Sequence, residues 1–431
     1  MRTFQTVLLA IFGFFILAGV IAIATLGKFG GDSETAASAV IWGTLPSEAV
    51  SQVIAQYNDA NDNVLLAVTY RQFSPDSFDA ELIDALASGA GPDAVIISHE
   101  SLVLYEDKLY TVPFASISER LFRDTYTEGS EIFMNREGVL ALPIVIDPLV
   151  LYWNRTLFNT ARVANPPSYW DELIGLGEKL TRTDDSFNIL QSVIALGEFD
   201  NINHAKEIIS TLILQAGNPI TLRDAGGRIG VIMGDDLGLP EAPADSALRF
   251  YTEFANPVKS VYSWNRSLPS SRNVFVRGDL GLYLGFASEL LGLQEENPNL
   301  NFDIAAVPQV RDSSLATTYG RLYGIGIVKQ SPNIAGAFRA VTLLASKDAE
   351  MLWAEEMGLP PARRDLLAIA PADPYASVFY NEALISSAFL DPDATLSDDI
   401  FKELVSNITS GRMPVSRAVS DASARLEQLF K

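Results

Sequence analysis

The chain has 431 residues, 48% of them apolar, with 53 acidic against 31 basic side chains and a formal net charge of −22. That length favours two cores rather than one, and a field of that sign repels phosphate backbones and anionic headgroups, which excludes nucleic acid as a partner. There is no cysteine and only two histidines, His99 and His204, so disulfides, thiol nucleophiles, thiolate metal sites and an acylated lipoprotein cysteine are excluded, and no metal or other cofactor is expected.

Residues 7–26, VLLAIFGFFILAGVIAIATL, form an uninterrupted apolar run of bilayer-spanning length. The positive charges before it are Arg2 and the α-amino group, which favour a cytoplasmic N-terminus, and Lys28 on the far side weakens that bias. The expectation is a membrane anchor over 1–27 with a transmembrane signal-anchor helix over 7–26, followed by a flexible tether over 28–38. Ala22-Ile23-Ala24 has the small-x-small form of a cleavage site, so removal of the segment stays open. The rest of the chain is expected on the extracytoplasmic side of the cell membrane.

From residue 39 strand and helix signals alternate. Residues 39–42 read as a buried strand, and Val50, Val53, Ile54 and Tyr57 follow at the spacing of one helical face. A second strand is predicted over 64–70, then a helix with Phe78, Leu82, Ala85 and Leu86 inward that stops at Gly89, then a third strand over 94–97. This order predicts a mostly parallel sheet, whose ligand clefts lie at the carboxyl ends of strands. Further on, 138–173 carries two short apolar runs around Pro143 and Asp147-Pro148, an Asn- and Pro-rich connection and a helix start. Ser168 is the predicted cap, Asp171 the reciprocal carboxylate, and Trp170, Leu173, Ile174 and Gly177 the inner face. Ser331-Pro332 opens another predicted helix. The stretch Gly226-Gly227-Arg228-Ile229-Gly230 lacks phosphate-loop spacing and reads as a turn.

Pro143, Leu151-Tyr152-Trp153-Asn154, Leu157-Phe158, Pro166-Pro167 and Tyr169-Trp170-Asp171-Glu172-Leu173 follow one another in an order that resembles the lobe crossover of bacterial extracellular solute-binding proteins of the maltose-binding type. Gly91-Pro92-Asp93-Ala94-Val95, a hairpin-like segment over 275–286, a strand over 301–310 and the turn Gly358-Leu359-Pro360-Pro361-Ala362-Arg363 resemble further elements of that family, in the expected order. The resemblance implies an α/β, two-lobe periplasmic-binding-protein-like fold (type II) with discontinuous lobes. Lobe one would take 39–146 and 315–352, and lobe two 147–314 and 353–431, with hinge crossings near Asp147 and Ser313. It further implies a monomer without enzymatic activity that captures a solute between the lobes and delivers it to the permease subunits of an ATP-binding-cassette importer.

A sugar presents an apolar ring face and a rim of hydroxyls, so its site needs aromatic plates beside carboxylate, amide or Arg groups. Trp42, Asp147, Tyr152, Trp264, Tyr283, Gly285, Phe286, Tyr319 and Arg321 stand where the resemblance places cleft loops. Trp42 ends the first strand and is a ligand plate or a core or rim tryptophan. Asp147, in apolar surroundings, needs a partner: a solute hydroxyl, a basic side chain or backbone amides. Tyr152 and Trp153 alternate on a strand, so only one faces the cleft, and Tyr152, at the family's aromatic position, is favoured. Trp264 is either a lid-like plate or an anchor for its own loop. Tyr283, Gly285 and Phe286 occupy the place of a family Gly-aromatic pair, where Gly285 would let the backbone approach a ligand. Tyr319-Gly320-Arg321 departs from the family's Gly-Gly pattern, and Arg321 is a clamp for the solute or the partner of an acidic side chain. A carbohydrate is the expected solute, with peptides, polyols and polyamines open and a cationic solute in keeping with the charge. The alternatives are a ligand-sensing protein for a signalling receptor and a surface carbohydrate-active enzyme with carboxylates paired across a cleft.

Overall fold

The computed structural model describes residues 37–61, 65–186, 188–313 and 315–431. The expected anchor over 7–26 and most of the tether lie outside the described residues, and no described helix is long and apolar enough to cross a membrane.

The chain opens with β1 (Ala37–Gly43), β2 (Leu66–Gln72) and β3 (Ala94–Ser98), joined by the helices Ser47–Ala60 and Pro75–Ser88. β1 pairs in parallel with both β2 and β3. The second helix shows why these segments are legible. Pro75 sits in its first turn, where no amide is missed, and Gly89 closes it at φ +71°, a left-handed geometry that glycine adopts without a Cβ clash.

A short ribbon of β4 (Val112–Pro113) and β5 (Gly138–Val139) leads into β6 (Ala141–Asn154). Beyond it lie β7 (Arg182–Thr183), β8 (Ile189–Ile194), the hairpin β9 (Thr221–Arg223) and β10 (Ile229–Val231), β11 (Leu280–Phe286), β12 (Phe302–Ala305), β13 (Thr318–Ile327) and β14 (Ser386–Ser387). The main sheet runs β2-β1-β3-β13-β6-β11-β8-β7, with β12 also on β6 and β14 on β13. Among the described strands only the β1–β2, β1–β3, β8–β11 and β13–β14 pairs are parallel, so the sheet is more mixed than the βαβαβ order suggested.

β6 is one continuous strand of 14 residues, not two short runs, and all but one of its residues are buried. Its first half pairs with β13 as far as Pro148 opposite Gly320. Its second half pairs with β11 from Leu149 opposite Phe286, and with β12 on the other edge. Pro143 is tolerated because the β13 register is irregular there, between Tyr323 and Gly324, so a missing amide breaks no regular ladder. The far edge of the first half is the Pro360–Ala362 turn: Ile146 N–H donates to the Pro360 carbonyl at 2.9 Å. Glu350 anchors that turn by accepting from the amides of Ala362 and Arg363.

Three local expectations change. Residues 275–286 are not hairpin-like but the end of the helix Ser271–Val276 followed by β11, because Gly278 at φ +88° turns the chain directly into the strand. The helix after the Pro pair runs Glu172–Leu180 without a side-chain cap. It buries Leu173, Leu176, Gly177 and Leu180 and leaves Ile174 exposed. The helix predicted from Ser331-Pro332 begins at Ile334. One further helix matters for the site: Ala205–Gln215 has all 11 residues buried and packs beside β13.

Candidate ligand-binding cleft

The polar residues of the core gather where β6 passes from β13 to β11. Arg321 on β13 lies opposite Asp147 on β6. Its Nε donates to Glu100 Oε2 at 2.9 Å, and its guanidinium carbon sits 4.3 Å from the centre of the Phe286 ring. Its Nη2 is 3.9 Å from Glu207 Oε1. Glu100 follows β3, Phe286 ends β11 and Glu207 lies in the first turn of Ala205–Gln215. One planar cation therefore ties three separate stretches of chain. Burial alone would raise the Glu100 pKa, but the charge of Arg321, helped by His99 and the Arg321 hydrogen bond, brings it down to about 2.

His99 is fully buried, and burial pushes its pKa down to about 4. The Leu322 amide donates to its Nδ1 at 3.2 Å, which puts the ring proton of the neutral form on Nε2 and makes the Tyr319 hydroxyl, 2.9 Å away, its acceptor. Asp147, also buried, accepts from the Ser288 amide at 3.0 Å and the Ser288 hydroxyl at 2.6 Å. Burial raises its pKa, while Arg321 and the Ser288 hydrogen bonds oppose the rise.

Glu289, one residue further, accepts from the Phe286 amide, His204 Nε2, Tyr283 Oη and Arg272 Nε at 2.8–3.1 Å. Burial works against its charge, yet His204 leads the hydrogen bonds that hold its pKa below the carboxylate range. For His204 burial likewise opposes charging, and the Glu289 bond and charge outweigh it, so its pKa lies above the ordinary histidine value. His204 has φ +59°, an unusual geometry for a residue with a side chain, and its ring packs edge-on against Phe286. A cavity of about 410 Å³ opens beside this group, lined by Phe199, Ile202, His204, Glu207 and Lys402 among others. That lies within the range of small-molecule sites, roughly 300–1,000 Å³.

Of the nine residues expected at the cleft, Asp147, Phe286, Tyr319 and Arg321 come together. The other five do not join that group. Tyr152 is fully buried, donates to the Phe286 carbonyl at 2.8 Å and packs on Phe275, Tyr283 and Phe302. It is a core residue, and Trp153 is the partly exposed member of the pair, resting on Phe158. Tyr283 stacks on Phe275 inside the same cluster. At Gly285 the backbone is approached by the protein itself: an added Cβ would lie 2.5 Å from Tyr283 Cε1 and 2.7 Å from Glu289 Oε1. Trp264 is fully buried with Nε1 on Asn201 Oδ1 at 3.1 Å, the loop-anchor alternative. Trp42 is nearly buried against Phe73, with the Arg71 guanidinium 5.0 Å from its ring, apart from the Arg321 group. His204, Glu207, Ser288 and Glu289 were not singled out in the sequence. Their partners lie up to 141 residues away, and no local spacing marks them.

A second bridge joins the two halves of the chain. Arg223 on β9 makes a two-pronged pair with Glu106, at 3.0 and 2.8 Å. Glu106 caps the helix Leu102–Tyr105 beyond β3.

An α/β fold in two lobes that share one long strand, with polar groups converging at the shared strand, defines a binding protein of the periplasmic type. Residues 43–351 match the family model described as "Bacterial extracellular solute-binding protein". The chain belongs to that family. A binding protein of Brucella abortus (strain 2308) is 23% identical over 372 residues, covering 81% of this chain and 82% of that one. The cyclic alpha-maltosyl-1,6-maltose binding protein from Arthrobacter globiformis has a similar fold, with a TM-score of 0.74 at 16% identity over 91% of this chain and 99% of that one. So does a solute-binding protein of Thermotoga lettingae bound with alpha-D-tagatose, at a TM-score of 0.64 and 19% identity over 91% of this chain and all (100%) of that one.

Proposed function

We propose that this protein captures a carbohydrate between its lobes and hands it to an ATP-binding-cassette importer, without transforming it. The observation that carries the reading is the Arg321 group, where β3, β13, β11 and the helix Ala205–Gln215 meet at the shared strand with aromatic, carboxylate and guanidinium groups. Those are the chemistries that a ring face and a hydroxyl rim require. The sugars named for the Arthrobacter and Thermotoga neighbours support the same solute class.

The first crossing stays where the sequence reading put it, between 146 and 147, whereas the last moves from 352/353 to beyond Arg363. The reason is that the helix Lys347–Met357 packs on Ser47–Ala60 and the Pro360–Ala362 turn pairs with residues 144–146. The change of β6 from β13 to β11 between Pro148 and Leu149 supports the first crossing. A solute that touches both lobes favours the closed arrangement by its differential affinity, and the Arg223–Glu106 pair adds to the closed side. The apolar run over 7–26 serves as a single-pass anchor that keeps the soluble part, a monomer, outside the cell beside its permease. A thermal-shift screen over mono- and oligosaccharides, amino acids and polyamines tests the solute class, since a ligand of the native state raises the melting temperature by mass action. Stabilisation by one sugar group is the expected result, and stabilisation by amino acids alone would sink the carbohydrate reading.

A further inference from the structure

We infer that Arg321 competes with the solute for one face of Phe286. The guanidinium covers the place where a sugar ring would stack, and it swings off to admit the ring. The inference rests on the carbohydrate reading and adds a control of the same site. The guanidinium carbon stands over the Phe286 ring, 4.3 Å from its centre, which leaves no room for a stacked sugar on that face. His204 and Tyr319 border the same ring at steep angles, so Phe286 is only 1% exposed. Phe286 ends β11 and Arg321 lies on β13, and the two flank one point of the shared strand, opposite Leu149 and Asp147. Their contact therefore sits beside the hinge, where opening of the lobes moves it least.

The way Arg321 is held leaves its head free to move. A guanidinium that served only to pair carboxylates would bring its fork to them. This one meets Glu100 Oε2 through Nε at 2.9 Å and holds Nη2 3.9 Å from Glu207 Oε1, beyond hydrogen-bond reach. The side chain keeps 24% of its surface exposed, so the head has a way out. Glu207 lies in the wall of the neighbouring cavity and is the carboxylate that the displaced fork reaches. The cation–π contact given up is replaced by the stacking of the sugar ring on the same face. A plate that is covered part of the time lowers the apparent affinity by the fraction of molecules in which it is open. It also selects, because a polyamine or a small aliphatic amino acid brings no ring face to take the place of the guanidinium.

Magnetic resonance of the full chain with isotope-labelled arginine tests this on the unsubstituted protein. A proton held near an aromatic face resonates upfield of its ordinary position. The Arg321 Hε signal, identified by its loss in Arg321→Lys, should be displaced before sugar is added, and Phe286→Leu should abolish the displacement. Saturation with the tightest binder among glucose, galactose, maltose and maltotriose should return the signal to its ordinary position. In calorimetry Arg321→Ala should bind that sugar about 3- to 10-fold more tightly than the parent chain, since the guanidinium no longer competes. A sugar that binds while the signal stays displaced, or a signal that is not displaced at the outset, would overturn the inference and leave carbohydrate capture standing. So would a folded Arg321→Ala chain that binds the sugar more weakly, because Arg321 then holds the solute directly. The spectrum of the parent chain decides alone if Arg321→Ala does not fold. Binding of none of the four sugars would overturn both readings.

Discussion

Arg321 is mostly buried between Glu100 and Glu207, so its removal strands carboxylates in a poorly solvated place. Arg321→Ala should lower the unfolding free energy by about 3 kcal/mol in a urea titration. Arg321→Lys should recover only part of that, because an ammonium restores charge but not the fork or the stacking on Phe286. Tyr152→Phe should cost about 1 kcal/mol through the bond to the Phe286 carbonyl and leave solute affinity unchanged. An affinity loss at constant stability would put Tyr152 back in the cleft. At this scale the sequence was informative about need rather than partner. Asp147 amid apolar neighbours had to be satisfied, but nothing local points to Ser288, 141 residues on. The choice of Tyr152 over Trp153 failed for a related reason. Alternation on β6 says that the two face opposite ways, and only the aromatic cluster of Phe275, Tyr283 and Phe302 decides which way is inward.

Elements with both a start and a stop signal were legible, as the helix Pro75–Ser88 shows with its Pro and Gly ends. β6 was harder, because its two prolines read as breaks. A strand keeps them only where a bulge or the end of a pairing removes the need for an amide, and that depends on β13, far away in sequence. The carboxyl end of β11 is tightly built. Gly285→Ala should destabilise the fold by about 1–3 kcal/mol, read as a lower midpoint in denaturant, because its Cβ meets Tyr283 and Glu289. The hairpin of β9 and β10 acts at a distance through Arg223. Arg223→Ala should leave the melting temperature nearly unchanged yet weaken solute binding several-fold, since the lost pair with Glu106 favours the closed arrangement. Equal affinity in the variant would show that the pair does not contribute to closure.

For the whole molecule, two buried groups set opposite limits on pH. His99 is held down at about 4 from an ordinary 6.5, so its contribution is complete above pH 6.5 and is lost as pH falls toward 4. Glu382 is raised by burial from 4.5 to about 8, so its contribution is complete below pH 4.5 and is lost as pH rises toward 8. Glu350, also raised by burial, adds to the alkaline side. Melting temperature should therefore fall in both directions from the mildly acidic range, and Glu382→Gln should flatten the alkaline side alone. The family and the two-lobe plan were legible from ordered motifs over most of the chain, whereas the surroundings of Arg321 were not, because Glu100, Phe286 and Glu207 reach it from separate stretches of the chain. Closure around a carbohydrate is the central claim, and small-angle scattering with and without the tightest-binding sugar tests it most directly. The radius of gyration should fall when that sugar saturates the protein, and an unchanged radius at saturation would contradict capture between moving lobes.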